Sequence, residues 1–152
     1  MNTIQNGNTF GFDAARALAA YQPFAAGTPG CSLAVISERE LPDAARTALA
    51  SSAEKLGFGR AGVFWITCTD AEGRTLAPGE LHELLVALDP LGFVMADAAA
   101  AARMEGAFDA TCARDAAGRV AGRTAVAFES FTDMLASSEE KQRAWALLKR
   151  LA

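Results

Sequence analysis

The sequence predicts a three-layer α/β/α domain built on a four-stranded parallel sheet, and three observations predict it. A chain of 152 residues suits one ordinary domain with one core. Short apolar, β-branched runs recur along it, each followed by a longer stretch whose apolar residues fall at helical spacing. Such alternation implies right-handed crossovers, hence parallel strands with helices on both faces.

The elements follow in order. Met1 to Asn8 is polar and reads as a frayed arm, and Phe12, Ala15, Leu18 and Ala19 place a first helix over Asp13 to Tyr21. Residues 1–31 are therefore an N-terminal arm and helix packing on a single domain of residues 32–152. Ser32 to Ser37 is the first strand, and Pro42 opens a helix closed by Gly57. Gly62 to Cys68 is a continuous β-branched and aromatic run that suits a strand buried on both faces. Pro78 opens a helix in which Leu81, Leu84, Leu85 and Leu88 recur at i, i+3, i+4 and i+7, and Asp89-Pro90 ends it. Leu91 to Ala96 is the third strand, and Asp97 caps an alanine-rich helix that runs to Glu105 before Gly106. An Arg/Gly-containing loop leads to the fourth strand, Thr124 to Phe128. One final helix spans roughly Phe131 to Leu151 and buries Leu135, Trp145 and Leu148.

Composition narrows the chemistry. The chain is 51% hydrophobic and 21% charged, so it is neither disordered nor fibrous. No apolar run approaches the roughly 20 residues of a membrane span, and no secretory leader is expected. A net charge of −4 argues against a strongly basic nucleic-acid surface. One histidine cannot form a metal-binding pair, and Cys31, Cys68 and Cys112 lack any C-x-x-C spacing. They read as reduced thiols of a cytoplasmic protein.

The closing segment is distinctive: Ala127-Phe128-Glu129-Ser130-Phe131-Thr132-Asp133-Met134-Leu135, then Lys141-Gln142-Arg143-Ala144-Trp145-Ala146-Leu147-Leu148-Lys149. It resembles the last motif of the uracil-DNA glycosylase superfamily, specifically the iron–sulfur-containing bacterial type. There a strand ends in Tyr-His-Pro and a helix reads Lys-Arg-x-x-Trp-x-x-Leu-Lys. Leu56-Gly57-Phe58-Gly59-Arg60, Leu76-Ala77-Pro78-Gly79-Glu80-Leu81, Leu88-Asp89-Pro90 and Ala98-Ala99 keep the register, so the likeness covers roughly residues 32–151. The resemblance implies a uracil-DNA glycosylase-like fold.

The departures bear on function. The family's first strand runs into Gly-Glu-x-Pro-Gly and a loop carrying a uracil-stacking Phe; here Ser37-Glu38-Arg39-Glu40-Leu41-Pro42 leads directly into the helix. The base-reading Asn aligns with Cys68, the catalytic His with Glu129 and its following Pro with Ser130. Ala96-Asp97 replaces Leu-Gly after the third strand. A cluster needs four thiolates and the chain has three cysteines, so no iron–sulfur cluster or other cofactor is expected. The chain is thus identified as a degenerate member that lacks the catalytic motifs.

In an open parallel sheet, ligands bind beyond the carboxyl ends of the strands. Those ends carry Ser37, Glu38, Cys68, Asp70, Asp97, Glu129 and Ser130. Their carboxylates could hold Mg²⁺; alternatively Asp97 and Ser130 cap helices while Glu38 and Asp70 are solvated loop acids. Either way the edge is acidic and repels phosphate. His82 falls beside its leucine stripe, toward solvent. Cys68 reads as a buried structural thiol, and Trp65 and Trp145 as core. Arg114, Arg119 and Arg123 lie in a mobile loop, where they are solvated or touch a partner.

Two functions remain open. One is a non-catalytic protein acting through protein contacts, with weak or no nucleic-acid binding and no membrane partner. The resemblance supplies a precedent, because the same fold occurs in a polymerase accessory subunit without glycosylase activity. The other is a divergent DNA glycosylase or nucleobase hydrolase in which Glu129 or Glu38, with Asp97 a further candidate, activates water.

Overall fold

The computed structural model describes residues 6–152. Its helices are α1 (Asn6–Ala20), α2 (Asp43–Lys55), α3 (Pro78–Leu88), α4 (Ala98–Phe108), α5 (Phe131–Met134) and α6 (Ser138–Leu148), with a closing 3₁₀ turn at Lys149–Leu151. Its strands are β1 (Ala25–Ala26), β2 (Leu33–Ser37), β3 (Val63–Thr67), β4 (Gly92–Met95), β5 (Ala116–Val120) and β6 (Arg123–Ala127).

Among the described residues the strands form one six-stranded mixed sheet in the order β1-β3-β2-β4-β6-β5. Four inner strands pair in parallel: Val35 lies opposite Trp65 on one side and Val94 on the other, and Val94 lies opposite Val126. The expected sheet of four strands therefore gains two antiparallel edges. β1 is two residues long and pairs Ala25 with Ile66, too short a segment to leave a sequence pattern. β5 replaces the expected loop and forms a hairpin with β6 through Ala121-Gly122. Both turn residues have positive φ, 50° and 79°, the backbone that a two-residue hairpin requires.

Helices cover both faces. α1, α3 and α4 bury Leu18, Leu81, Leu84, Leu85 and Met104 against Ile36, Phe64, Ile66 and Met95. α2, α5 and α6 bury Leu49, Phe131 and Leu148 against Val35, Val94 and Val126. Burying one such side chain fully contributes about 1.5–3 kcal/mol. Cys31, Cys68 and Cys112 all lie in the first of these layers, unbonded to one another. Tyr21 Oη donates to Glu83 Oε1 at 2.6 Å and ties α1 to α3; that bond, with burial, pushes the phenol up to about 12.

Local chemistry sets the element ends. Glu80 Oε1 accepts from Ala77 N at 2.8 Å at the start of α3, and Asp89 ends the helix in the left-handed conformation with φ 48°. The turn into β3 requires glycine at 62, because a Cβ there would overlap the Phe58 carbonyl.

Three boundaries and one burial pattern differ from expectation. α1 begins at Asn6 rather than Asp13, so Asn6 to Asn8 of the expected arm are helical; Met1 to Gln5 lie outside the described residues. α4 runs through Gly106 to Phe108, because Phe108 packs on Phe93 and His82, and Asp109 at φ 51° supplies the left-handed stop. The expected final helix is broken. Ser137 Oγ accepts from Glu140 N at 3.2 Å and starts α6 afresh after the single turn of α5. Finally, β3 is not buried on both faces throughout, since Trp65 and Thr67 keep partial exposure at the sheet's thin β1 edge.

Candidate functional site

β2 connects to β3 on one side of the sheet while β4 lies on its other side, so strand order reverses between β2 and β4. The ligand crevice of such a sheet lies beyond the carboxyl ends of these two strands. Ser37 ends β2 and Glu38 follows it; Met95 ends β4 and Ala96-Asp97 follow. Asp97 joins the two ends. Its Oδ2 accepts from Glu38 N at 3.1 Å, and its Oδ1 accepts from Ala100 N at 2.8 Å as the cap of α4.

Glu38 is held just as firmly. Arg103, on the second turn of α4, donates from Nε to Oε1 at 2.9 Å and from Nη2 to Oε2 at 2.8 Å, a two-pronged pair. Thr69 Oγ1 donates to the same Oε2 at 2.9 Å and lies 3.0 Å from Thr75 Oγ1. The Arg103 guanidinium, and next the Thr69 hydroxyl, outweigh burial and hold the Glu38 carboxyl below its ordinary range. A carboxylate so stabilised is a weak base.

Beside this pair lies a cavity of about 440 Å³ between α3 and α4. Leu76, Pro78, Leu81 and Ala102 give it apolar walls, and Glu38 and Arg103 are its only charged lining. Cys68 sits behind Glu38 with no exposure at all. Burial, then the nearby Glu38 charge, pushes its thiol up to about 12, so it is protonated and unreactive at neutral pH.

The structure thus brings Ser37, Glu38, Cys68 and Asp97 to one crevice. Ser37 is buried, and its carbonyl accepts from Cys68 N at 2.9 Å. Ser130 is bridged to Asp97 through the backbone and caps α5, its Oγ accepting from Asp133 N at 3.2 Å. Glu129 does not join them. Its backbone N donates to Asp115 Oδ1 at 3.1 Å and its carbonyl accepts from Ala98 N at 3.0 Å, while its side chain is exposed and bonds to none of the others. Arg103 and Thr69 are the residues that sequence reasoning misses. The available signal was a single guanidinium on an alanine helix that starts at a strand's carboxyl end.

Several expected roles change. Glu38 and Asp70 are not solvated loop acids. Asp70 is 5% exposed and organises the 69–75 turn, accepting from Glu72 N at 3.0 Å, Arg74 N at 2.9 Å and Arg74 Nε at 2.7 Å. Burial raises its carboxyl, but the Arg74 amide and guanidinium more than offset this and leave it below the usual range. Arg103 offsets Glu38 and Arg74 offsets Asp70, so the edge is less acidic than its carboxylates alone suggest, while Asp97 is held by neutral amides and Glu129 is exposed.

Of the three arginines, Arg114 lies in the loop before β5, whereas Arg119 and Arg123 lie on strands. Arg119 lies on β5 and donates to Gly122 O at 2.6 Å; Arg123 lies on β6 and pairs with Asp89 at 2.8 Å. Arg114 pairs with Glu105 at 3.2 Å and also donates to the Cys112 carbonyl. The tryptophans are half-buried rather than core. Arg46 lies 4.7 Å over Trp65, and Lys55 and Lys149 lie 5.7 and 6.0 Å from Trp145. His82 is exposed on α3, with Nδ1 3.0 Å from Ala107 O.

Among the described residues no three His, Cys, Asp or Glu side chains converge in a way that could hold a metal ion. None of the described helices is long and apolar enough to cross a membrane. No protein-family model matches the chain, and no curated protein matches it either.

Proposed function

We propose that this chain is a non-catalytic protein of uracil-DNA glycosylase-like type that acts through contacts with other proteins. One observation carries the reading. At the crevice positions Glu38, Cys68 and Asp97 the polar groups are engaged in holding the fold or buried, and Glu129, where the resemblance expects the catalytic His, is exposed with no positioned partner. Glu38 binds Arg103 and Thr69, and Asp97 accepts two backbone amides. Cys68 is buried and protonated.

The competing hydrolase reading needs a carboxylate poised as a base over a base-sized pocket. Glu38 lines a cavity, but its low pKa and three side-chain bonds oppose proton abstraction. Glu129 is exposed and has no positioned partner. Three unpaired, buried thiols fit a reducing compartment, and we assign the protein to the cytoplasm of a bacterium on that ground and on the resemblance.

The test is uracil release from single- and double-stranded oligonucleotides by the purified protein beside its Glu129→Ala and Glu38→Gln variants. The expected result is no release above buffer from any of the three. Release by the unaltered protein that either variant abolishes would overturn the reading and install the hydrolase.

A further inference from the structure

The opposite face of the sheet carries a groove of about 480 Å³ between α2 and α6. Ala44, Ala48, Ser51 and Lys55 form its α2 wall, spaced 4, 3 and 4 residues apart on one side of the helix. At a rise of 1.5 Å per residue this stripe runs about 16 Å, or three helical turns. Lys141, Trp145 and Leu148 form the α6 wall, and Phe131 and Leu135 the floor.

Two properties define the occupant. Both walls are helices whose backbone groups are already bonded, and the floor is apolar. The groove therefore offers no sheet edge for an extended strand, and an occupant must satisfy its own backbone, as a helix does. Alanines at 44, 48 and 144 let a helix axis approach closely. The charge is one-sided. No carboxylate lines the groove, and neither Lys55 nor Lys141 has an ion-pair partner among the described residues. Such a cationic, acid-free groove stands out in a chain with 18 acids and 14 bases.

We propose that this groove docks an amphipathic α-helix of a partner protein, about three turns long, with its apolar stripe on Trp145 and the α5 floor. Asp or Glu residues flanking that stripe meet Lys55 and Lys141. The partner is thus an acidic amphipathic segment read at helical spacing. The groove lies on the other face from the Glu38–Arg103 cavity. Uracil release would overturn the non-catalytic reading and leave this proposal standing.

The test pans phage-displayed peptides of about 14 residues, long enough to form a helix, against the full chain. Recovered sequences should carry apolar residues at i, i+3 or i+4, and i+7 beside Asp or Glu. By fluorescence anisotropy their affinity should fall roughly tenfold or more in Lys55→Glu/Lys141→Glu, and severalfold in Lys55→Gln/Lys141→Gln. Ala48→Trp, which fills the groove, should abolish binding. Melting curves establish that each variant folds, and the glutamine pair decides if the charge reversal does not. Recovery of no binder, recovery without acidic enrichment, or binding that survives both the charge changes and Ala48→Trp would overturn the proposal. Self-association that Ala48→Trp disperses would overturn it too, by making a second copy the occupant.

Discussion

At the carboxyl ends of β2, β3 and β4 the carboxylates Glu38, Asp70 and Asp97 each have bonded partners, whereas along the α2–α6 groove two lysines have no ion-pair partner among the described residues. Glu38 answers Arg103, Asp70 answers Arg74 and Asp97 answers two amides, so the polar atoms there are committed to geometry. Lys55 and Lys141 flank an apolar floor and are committed to nothing but a loose contact of Lys55 with Trp145. The difference separates structure from recognition. A satisfied network resists change and offers little to a ligand, whereas unmatched charge beside apolar surface is what a partner can complete.

Four changes break or sharpen this contrast. Phe131→Ala removes a floor residue that is 2% exposed and packed edge-on to Phe128 at 5.3 Å. It should cost about 3–5 kcal/mol, read as a shift of the urea midpoint. A loss under about 1 kcal/mol would mean that the groove floor can collapse to fill the space.

Asp97→Ala strips the α4 cap and frees Glu38 N together, and should cost about 1–2 kcal/mol in the same titration. Arg103→Met should cost less, about 1 kcal/mol, because solvent reaches both partners and screens the pair. Its signature lies in acid. The folded Glu38 carboxyl sits below its unfolded value, so the stabilisation it confers is complete above about pH 4.3 and disappears as pH falls through the lower folded value. The Arg103→Met protein should therefore lose less further stability below about pH 4.3 than the unaltered protein does. Superimposable acid limbs would show that the pair does not hold the crevice.

Lys55→Gln/Lys141→Gln should change stability by no more than about 0.5 kcal/mol, since both side chains are exposed. A larger loss would make the groove lysines structural and erase the contrast.

Much of this architecture was legible because it is local. The leucines at 81, 84, 85 and 88 announced their buried face, Asp97 and Ser130 announced helix caps, and the run from Val63 to Thr67 announced a central strand. What was not legible depends on distant partners. Ala116 to Val120 reads Ala-Ala-Gly-Arg-Val, in which only the valine favours a strand, and it pairs along its length with β6. Likewise Arg103 lies 65 residues from Glu38, and only the meeting of α4 with the end of β2 makes them one unit. The pairing of Glu38 therefore could not be inferred from the acids of the crevice alone.

The burial of all three cysteines gives the molecule built-in reporters of its own motions. Cys31 precedes β2 and bonds to Ala61 O, Cys68 lies at the crevice, and Cys112 precedes the β5–β6 hairpin. A thiol-reactive dye can reach each one only when its region opens, so three labelling rates would rank the openings of those regions. Single-cysteine variants would assign the rates. The three thiols thereby record which part of the chain yields first.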